Sequence, residues 1–86
     1  MTDEEAETVA QMLYELDRQN GIRLHRWHTD AETRRNRYRL RARRLLAVED
    51  FASLVARLGR QYRRTGHLVH EASDVFRLAA TPNAYH

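Results

Sequence analysis

The sequence predicts an all-α fold, a compact bundle of four short amphipathic helices, on three observations. Apolar residues recur at three- and four-residue spacing along most of the chain. Stop signals at Asn20-Gly21, Thr65-Gly66 and Thr81-Pro82 divide that pattern into lengths suited to helices. Ile22 and Leu24 alternate with arginine, but a strand this short has no partner elsewhere in the chain. At 86 residues the chain encloses one core, so residues 1–86 read as a single domain that buries only about 60% of its unfolded surface. Residues 83–86 read as a flexible tail.

The first helix opens at Thr2, with Glu5 three residues on as a capping box. Ala6, Val9, Met12, Leu13 and Leu16 form its apolar stripe, and Asp3, Glu4 and Glu7 suit the positive end of the helix dipole. Asn20-Gly21 supplies a left-handed stop, with Ile22 placed to fold back on the last turn. From Ile22 to His28 we expect an extended connector that tucks Leu24 and Trp27 against the core. Thr29 and Glu32 form a second capping box for a helix from about Asp30 to Ala47. Ala31, Tyr38, Ala42, Leu45 and Leu46 share one third of its circumference, arginines fill most of the rest, and only Leu40 interrupts the polar side.

Glu49 or Asp50 starts the third helix, although no glycine or proline follows Val48 and one continuous helix over 30–64 is the alternative. Phe51, Leu54, Val55, Leu58 and Tyr62 form its buried side, with Arg57, Arg60 and Arg64 opposite. The fourth helix spans about His67 to Ala80, burying Leu68, Val69, Ala72, Val75, Phe76 and Ala79 and turning His67, His70, Asp74 and Arg77 outward.

Charge is the distinctive feature. All 15 basic residues are arginine, a choice that suits bidentate recognition of phosphate or carboxylate but also follows from codon bias in a GC-rich genome. Their placement therefore says more than their identity. Residues 1–20 hold six acids and one arginine, whereas residues 21–48 hold nine arginines and two acids. Seven of these arginines lie between Arg34 and Arg44, and like charges so close repel by about 0.2–0.5 kcal/mol per pair. The acids Glu4, Glu7 and Glu15 point away from the first helix's own core stripe, so we expect them not to reach the second helix. Such a face suits a phosphate backbone. The plainer reading is a solvated face whose arginine stems cover apolar neighbours.

Other chemistries find less support. Trp27, Tyr14 and Tyr85 are the aromatics outside the core stripes, thin support for base stacking. Residues 51–78 fit a helix-turn-helix around Gly66 poorly, because Tyr62 stands where that motif needs a small residue. His67, His70 and Asp74 are weak metal-ligand candidates, with His25 or His28 as a fourth ligand, and surface histidines are the plainer reading. Without cysteine or lysine, with only Ser53 and Ser73 as serines and no glycine-rich loop, no catalytic site and no cofactor are expected. No apolar run follows a basic start and none approaches about 18 residues, so a cytoplasmic protein without membrane attachment is expected.

Trp27, Arg34, Arg37-Tyr38-Arg39 and Ala42-Arg43-Arg44-Leu45-Leu46-Ala47 follow a helix that contains Ala10 and Leu13-Tyr14-Glu15. Over residues 5–47 this resembles a pattern in small uncharacterised helical proteins of actinobacteria and their phages. There a loop with one tryptophan precedes a helix of the form Arg-x-x-Tyr-x-x-x-Ala-x-x-x-Leu. The resemblance implies a non-enzymatic protein that binds a host machine.

The expected function is thus a non-catalytic binding module whose arginine face engages nucleic acid or a nucleoprotein. Arg34, Arg37, Arg41, Arg44, Arg57, Arg60 and Arg64 are the candidate contacts. The alternative partner is an acidic protein surface, as for a phage-encoded inhibitor of a host defence or nucleic-acid-processing complex. A homodimer that sets one chain's acidic helix on another's basic helix is a third arrangement.

Overall fold

The structure, a computed structural model, describes residues 3–80, and of residues 49–51 and 77–80 the backbone alone. Four helices follow in order, α1 (Asp3–Gln19), α2 (Glu32–Ala47), α3 (Glu49–Thr65) and α4 (His70–Ala80), with a 3-10 turn at Trp27–Thr29 and no strand among the described residues. The radius of gyration is 12.2 Å, close to the ~12 Å expected of a compact chain this long. No helix of the described residues is long and apolar enough to cross a membrane. The expected Thr2 cap, the Thr81-Pro82 stop, Tyr85 and the 83–86 tail lie outside the described residues, as do the side chains of Phe51, Arg77 and Ala79.

α1 is the hub, packing against both α2 and α3, while α2 packs on α3 and α4 on α3. Its expected stripe is buried or half-buried, but so are Thr8, Ala10 and Tyr14, which leaves the helix wrapped on most of its circumference. Thr8 tolerates burial because its hydroxyl donates to the Glu4 carbonyl at 3.0 Å. The core is completed by Tyr38, Ala42 and Leu46 of α2, Val55 and Leu58 of α3, and Ala72, Val75 and Phe76 of α4. Leu24 and Trp27 pack onto it from the connector as expected.

Helix ends follow the glycine signals. Gly21 adopts φ 93°, and its N–H and that of Ile22 donate to the Arg18 and Asp17 carbonyls at 3.1 and 3.0 Å, a Schellman closure. Ile22 does not fold back, however. It stays 51% exposed. Gly66, at φ 74°, ends α3 by donating to Tyr62.

Helix starts depart from expectation, and tertiary contacts are the reason. α2 begins at Glu32 rather than Asp30, and Thr29 caps nothing. The Thr29 hydroxyl instead donates to the Arg26 carbonyl. Asp30 is extended (φ −78°, ψ 162°) and buried, accepting the Ala31 N–H at 2.7 Å. Ala31 consequently sits exposed ahead of the helix rather than in its apolar stripe. α4 begins at His70 rather than His67, since Leu68 and Val69 pack on the core in non-helical conformation and the His67 N–H donates to Thr65 Oγ1. α2 and α3 are separate, not the continuous 30–64 helix. Val48 breaks them at φ −79°, ψ 111°, a geometry that suits a β-branched residue. Its N–H closes α2 on Leu45 and its carbonyl opens α3 by accepting from Ala52.

Candidate nucleic-acid interface

The arginines of α2 divide into an inner set and an outer set, and the division starts from three aromatic rings. Tyr14, on α1, meets Trp27 and Tyr38 edge-on at 5.4 and 5.3 Å between centroids, geometries that aromatic pairs favour. Trp27, as expected, and Tyr14, which the sequence placed outside the core stripe, are therefore buried, and neither is free to stack on a base. Each ring's polar tip meets an acid. Tyr14 Oη donates to Asp30 at 2.6 Å, Tyr38 Oη to Asp17 at 2.7 Å, and Trp27 Nε1 to Glu7 at 3.3 Å.

Those same acids take the inner arginines. Arg39 grips Glu7 through Nε at 2.6 Å and Nη2 at 3.1 Å, reaches Glu32 at 2.6 Å, and lies over the Trp27 ring at 5.5 Å. Arg41 meets Asp17 at 3.3 Å and covers the Tyr38 ring, while Arg34 meets Asp30 at 3.3 Å. Arg35 pairs with Glu32. Asp3 and Arg43 approach at 3.8 Å, both exposed. The expectation that α1's acids cannot reach α2 is thus wrong. α1 is flanked closely by α2 and α3, so its polar edge faces their arginines rather than solvent, and Glu4 likewise pairs with Arg63 of α3.

These pairings shift ionisation. The Arg39 hydrogen bonds hold the Glu7 carboxyl below its ordinary value against the opposing effect of burial. The Tyr14 hydrogen bond does the same for Asp30, helped by the Ala31 N–H and Arg34. Burial first, then the bond to Asp30, pushes the Tyr14 phenol up to about 12. Tyr38 is raised likewise, by burial and by Asp17.

What remains outside is smaller than the sequence implied. Among the described residues Arg37 and Arg44 of α2 and Arg60 and Arg64 of α3 are exposed and hold no ion pair with a carboxylate. Among the described residues Arg57 has only Glu71, at 3.8 Å with both side chains largely exposed, a geometry that contributes about 0–1 kcal/mol. Arg57, Arg60 and Arg64 line one open hollow of about 500 Å³ together with Gln61. Of the seven candidate contacts, Arg34 and Arg41 are engaged within the fold and the other five face outward.

Arg23 and Arg26 of the connector are two further exposed arginines, which the sequence reading passed over in weighing the neighbouring histidines. Among the described residues no three histidine, cysteine or acidic side chains are arranged to hold a metal ion. His70 and Asp74 are exposed on α4, and His67 precedes that helix, so the helical spacing proposed for the trio does not apply. No protein-family model matches the chain, and no curated protein or solved structure matches it.

Proposed function

We propose that this protein is a non-catalytic binding module whose outer arginine surface engages nucleic acid, alone or in a nucleoprotein. One observation carries the reading. Arg37, Arg44, Arg57, Arg60 and Arg64 face outward without a firm carboxylate partner among the described residues, although the fold takes up most of the acids of α1 to satisfy their neighbours. Arginines crowded at helical spacing repel one another, and phosphates that neutralise them release condensed counterions. Binding without sequence preference follows, because the outer surface has no described exposed aromatic to stack on a base.

The test is titration of labelled duplex and single-stranded oligonucleotides at stepped salt. The five outer arginines alone give a slope of log K against log[salt] of about −4.5 on duplex, and engagement of the exposed Arg23, Arg26 and Arg43 as well takes it to about −7. Absence of binding at low salt would remove the reading. A slope steeper than about −7 would mean that the inner arginines leave their acids on binding.

A second reading rests on a different observation. Leu40 and Val48 are 51% and 42% exposed on α2 and its end, beside Arg37 and Arg44, and mixed apolar and cationic surface suits an acidic protein partner, such as a host complex that a phage protein inhibits. A host partner that co-purifies after nuclease treatment and is lost in Leu40→Asp would favour it. The homodimer is the weakest of the three arrangements, since Glu7 and Asp17 are already engaged within the chain.

A further inference from the structure

Resting on the nucleic-acid reading, we propose that the hollow on α3 is a phosphate seat in which Arg57, Arg60 and Arg64 grip a phosphate ester. Gln61 orients the group attached to it, and Glu71 is the rim carboxylate that the phosphate displaces.

The lining decides the ligand's chemistry. Arg57, Arg60, Gln61 and Arg64 contribute no wholly apolar side chain, which separates this hollow from the α2 strip with its exposed Leu40. Three guanidiniums stand on one side of a single helix over about 10 Å, each with five N–H donors and no acceptor, so the complementary ligand is an anion rich in acceptor oxygens. Phosphate meets that need with bidentate geometry. The hollow is open and lined from α3 alone, so it leaves room for the group that a phosphate carries without enclosing it. The Gln61 amide both donates and accepts, as an orienting contact to a sugar hydroxyl or base edge requires.

The neighbouring charges point the same way. Arg63, in the same turn, is turned toward α1 and held by Glu4, so it belongs to the fold and not to the hollow. Glu71 approaches Arg57 at 3.8 Å from the first turn of α4, with both side chains more than 60% exposed. That is a loose pair, which a phosphate in direct contact with three guanidiniums replaces.

Nucleic-acid backbone and free nucleotide present the same phosphate ester, and titration distinguishes them. Isotope-labelled protein is titrated separately with inorganic phosphate, adenosine monophosphate and a short oligothymidylate. The Gln61 side-chain amide and the Nε–H signals of Arg57, Arg60 and Arg64 are followed throughout. The seat predicts that the oligonucleotide and the nucleotide both shift these signals. It predicts about tenfold weaker binding in Arg60→Gln and about threefold tighter binding in Glu71→Gln. Both positions are exposed, so circular dichroism is expected to show unchanged folding. If the oligonucleotide binds without moving these four side chains, the seat is wrong and the wider nucleic-acid reading survives. Should the nucleotide move them while the oligonucleotide does not bind, the seat stands for free nucleotides and the wider reading fails. Tighter binding in Arg60→Gln, or silence from all three probes, also overturns the seat.

Discussion

At the scale of single residues, the arrangement that most constrains this fold is Tyr14 against Asp30. A carboxylate this buried survives because it accepts a phenol, a backbone N–H and a guanidinium at once. Removing the phenol leaves those needs partly unmet, whereas Tyr38 serves Asp17, a side chain with more access to water. Tyr14→Phe is therefore expected to cost about 1.5–3 kcal/mol and to raise the Asp30 carboxyl toward its ordinary value. Tyr38→Phe should cost less. Urea denaturation of both variants and a carboxyl NMR titration of Asp30 check this, and equal costs would contradict it. None of it was legible beforehand. The sequence shows a Tyr and an Asp 16 positions apart, and nothing in helical periodicity says that the chain turns back to join them.

At the scale of elements, the helices were legible and their starts were not. Periodicity and the two left-handed glycines are local signals, and they located α1, the end of α3 and the apolar faces. The starts of α2 and α4 are set by what packs ahead of them, Asp30 beneath Tyr14 in one case and Leu68 with Val69 on the core in the other. Local capping propensity gives way to such contacts. The α1–α3 contact offers its own test. Gly59 is buried within α3, where a Cβ would meet Val9 Cγ2 at 3.6 Å, Thr8 Cγ2 at 3.7 Å and Met12 Sδ at 4.0 Å, all ordinary contact distances. Alanine adds those contacts without a clash and removes the entropic cost of a mid-helix glycine, so Gly59→Ala should stabilise the protein by about 0.5–1 kcal/mol. A lower melting temperature would show that α1 and α3 are already as close as they can be.

For the whole molecule, the charge asymmetry was legible as a count but not as a surface. Which arginines are used within the fold depends on pairs such as Glu7–Arg39, 32 residues apart, and the pairing follows from how α1 is flanked. Stability should then carry two pH limbs. Glu7 and Asp30 have folded values below their ordinary 4.5 and 3.8, so their contribution is complete above those values and is lost as the pH falls further. Tyr14 is raised from 10.0 to about 12. Its neutral phenol therefore supports the fold fully below 10.0 and progressively less as the pH climbs toward 12. Melting temperature against pH should show a plateau between limbs, and Tyr14→Phe with Tyr38→Phe should flatten the alkaline one. An unchanged alkaline limb in the double variant would rule this account out. The same corner also equips the protein with a reporter. Trp27 is the only tryptophan of the chain, and its indole is enclosed by Glu7, Arg39 and Tyr14. An anion arriving among Arg57, Arg60 and Arg64 meets none of those neighbours, whereas any event that parts α1 from the connector wets the indole. Intrinsic fluorescence thus separates the two without a label: a red shift marks the opening of this corner, and saturation without one marks a ligand that has settled elsewhere.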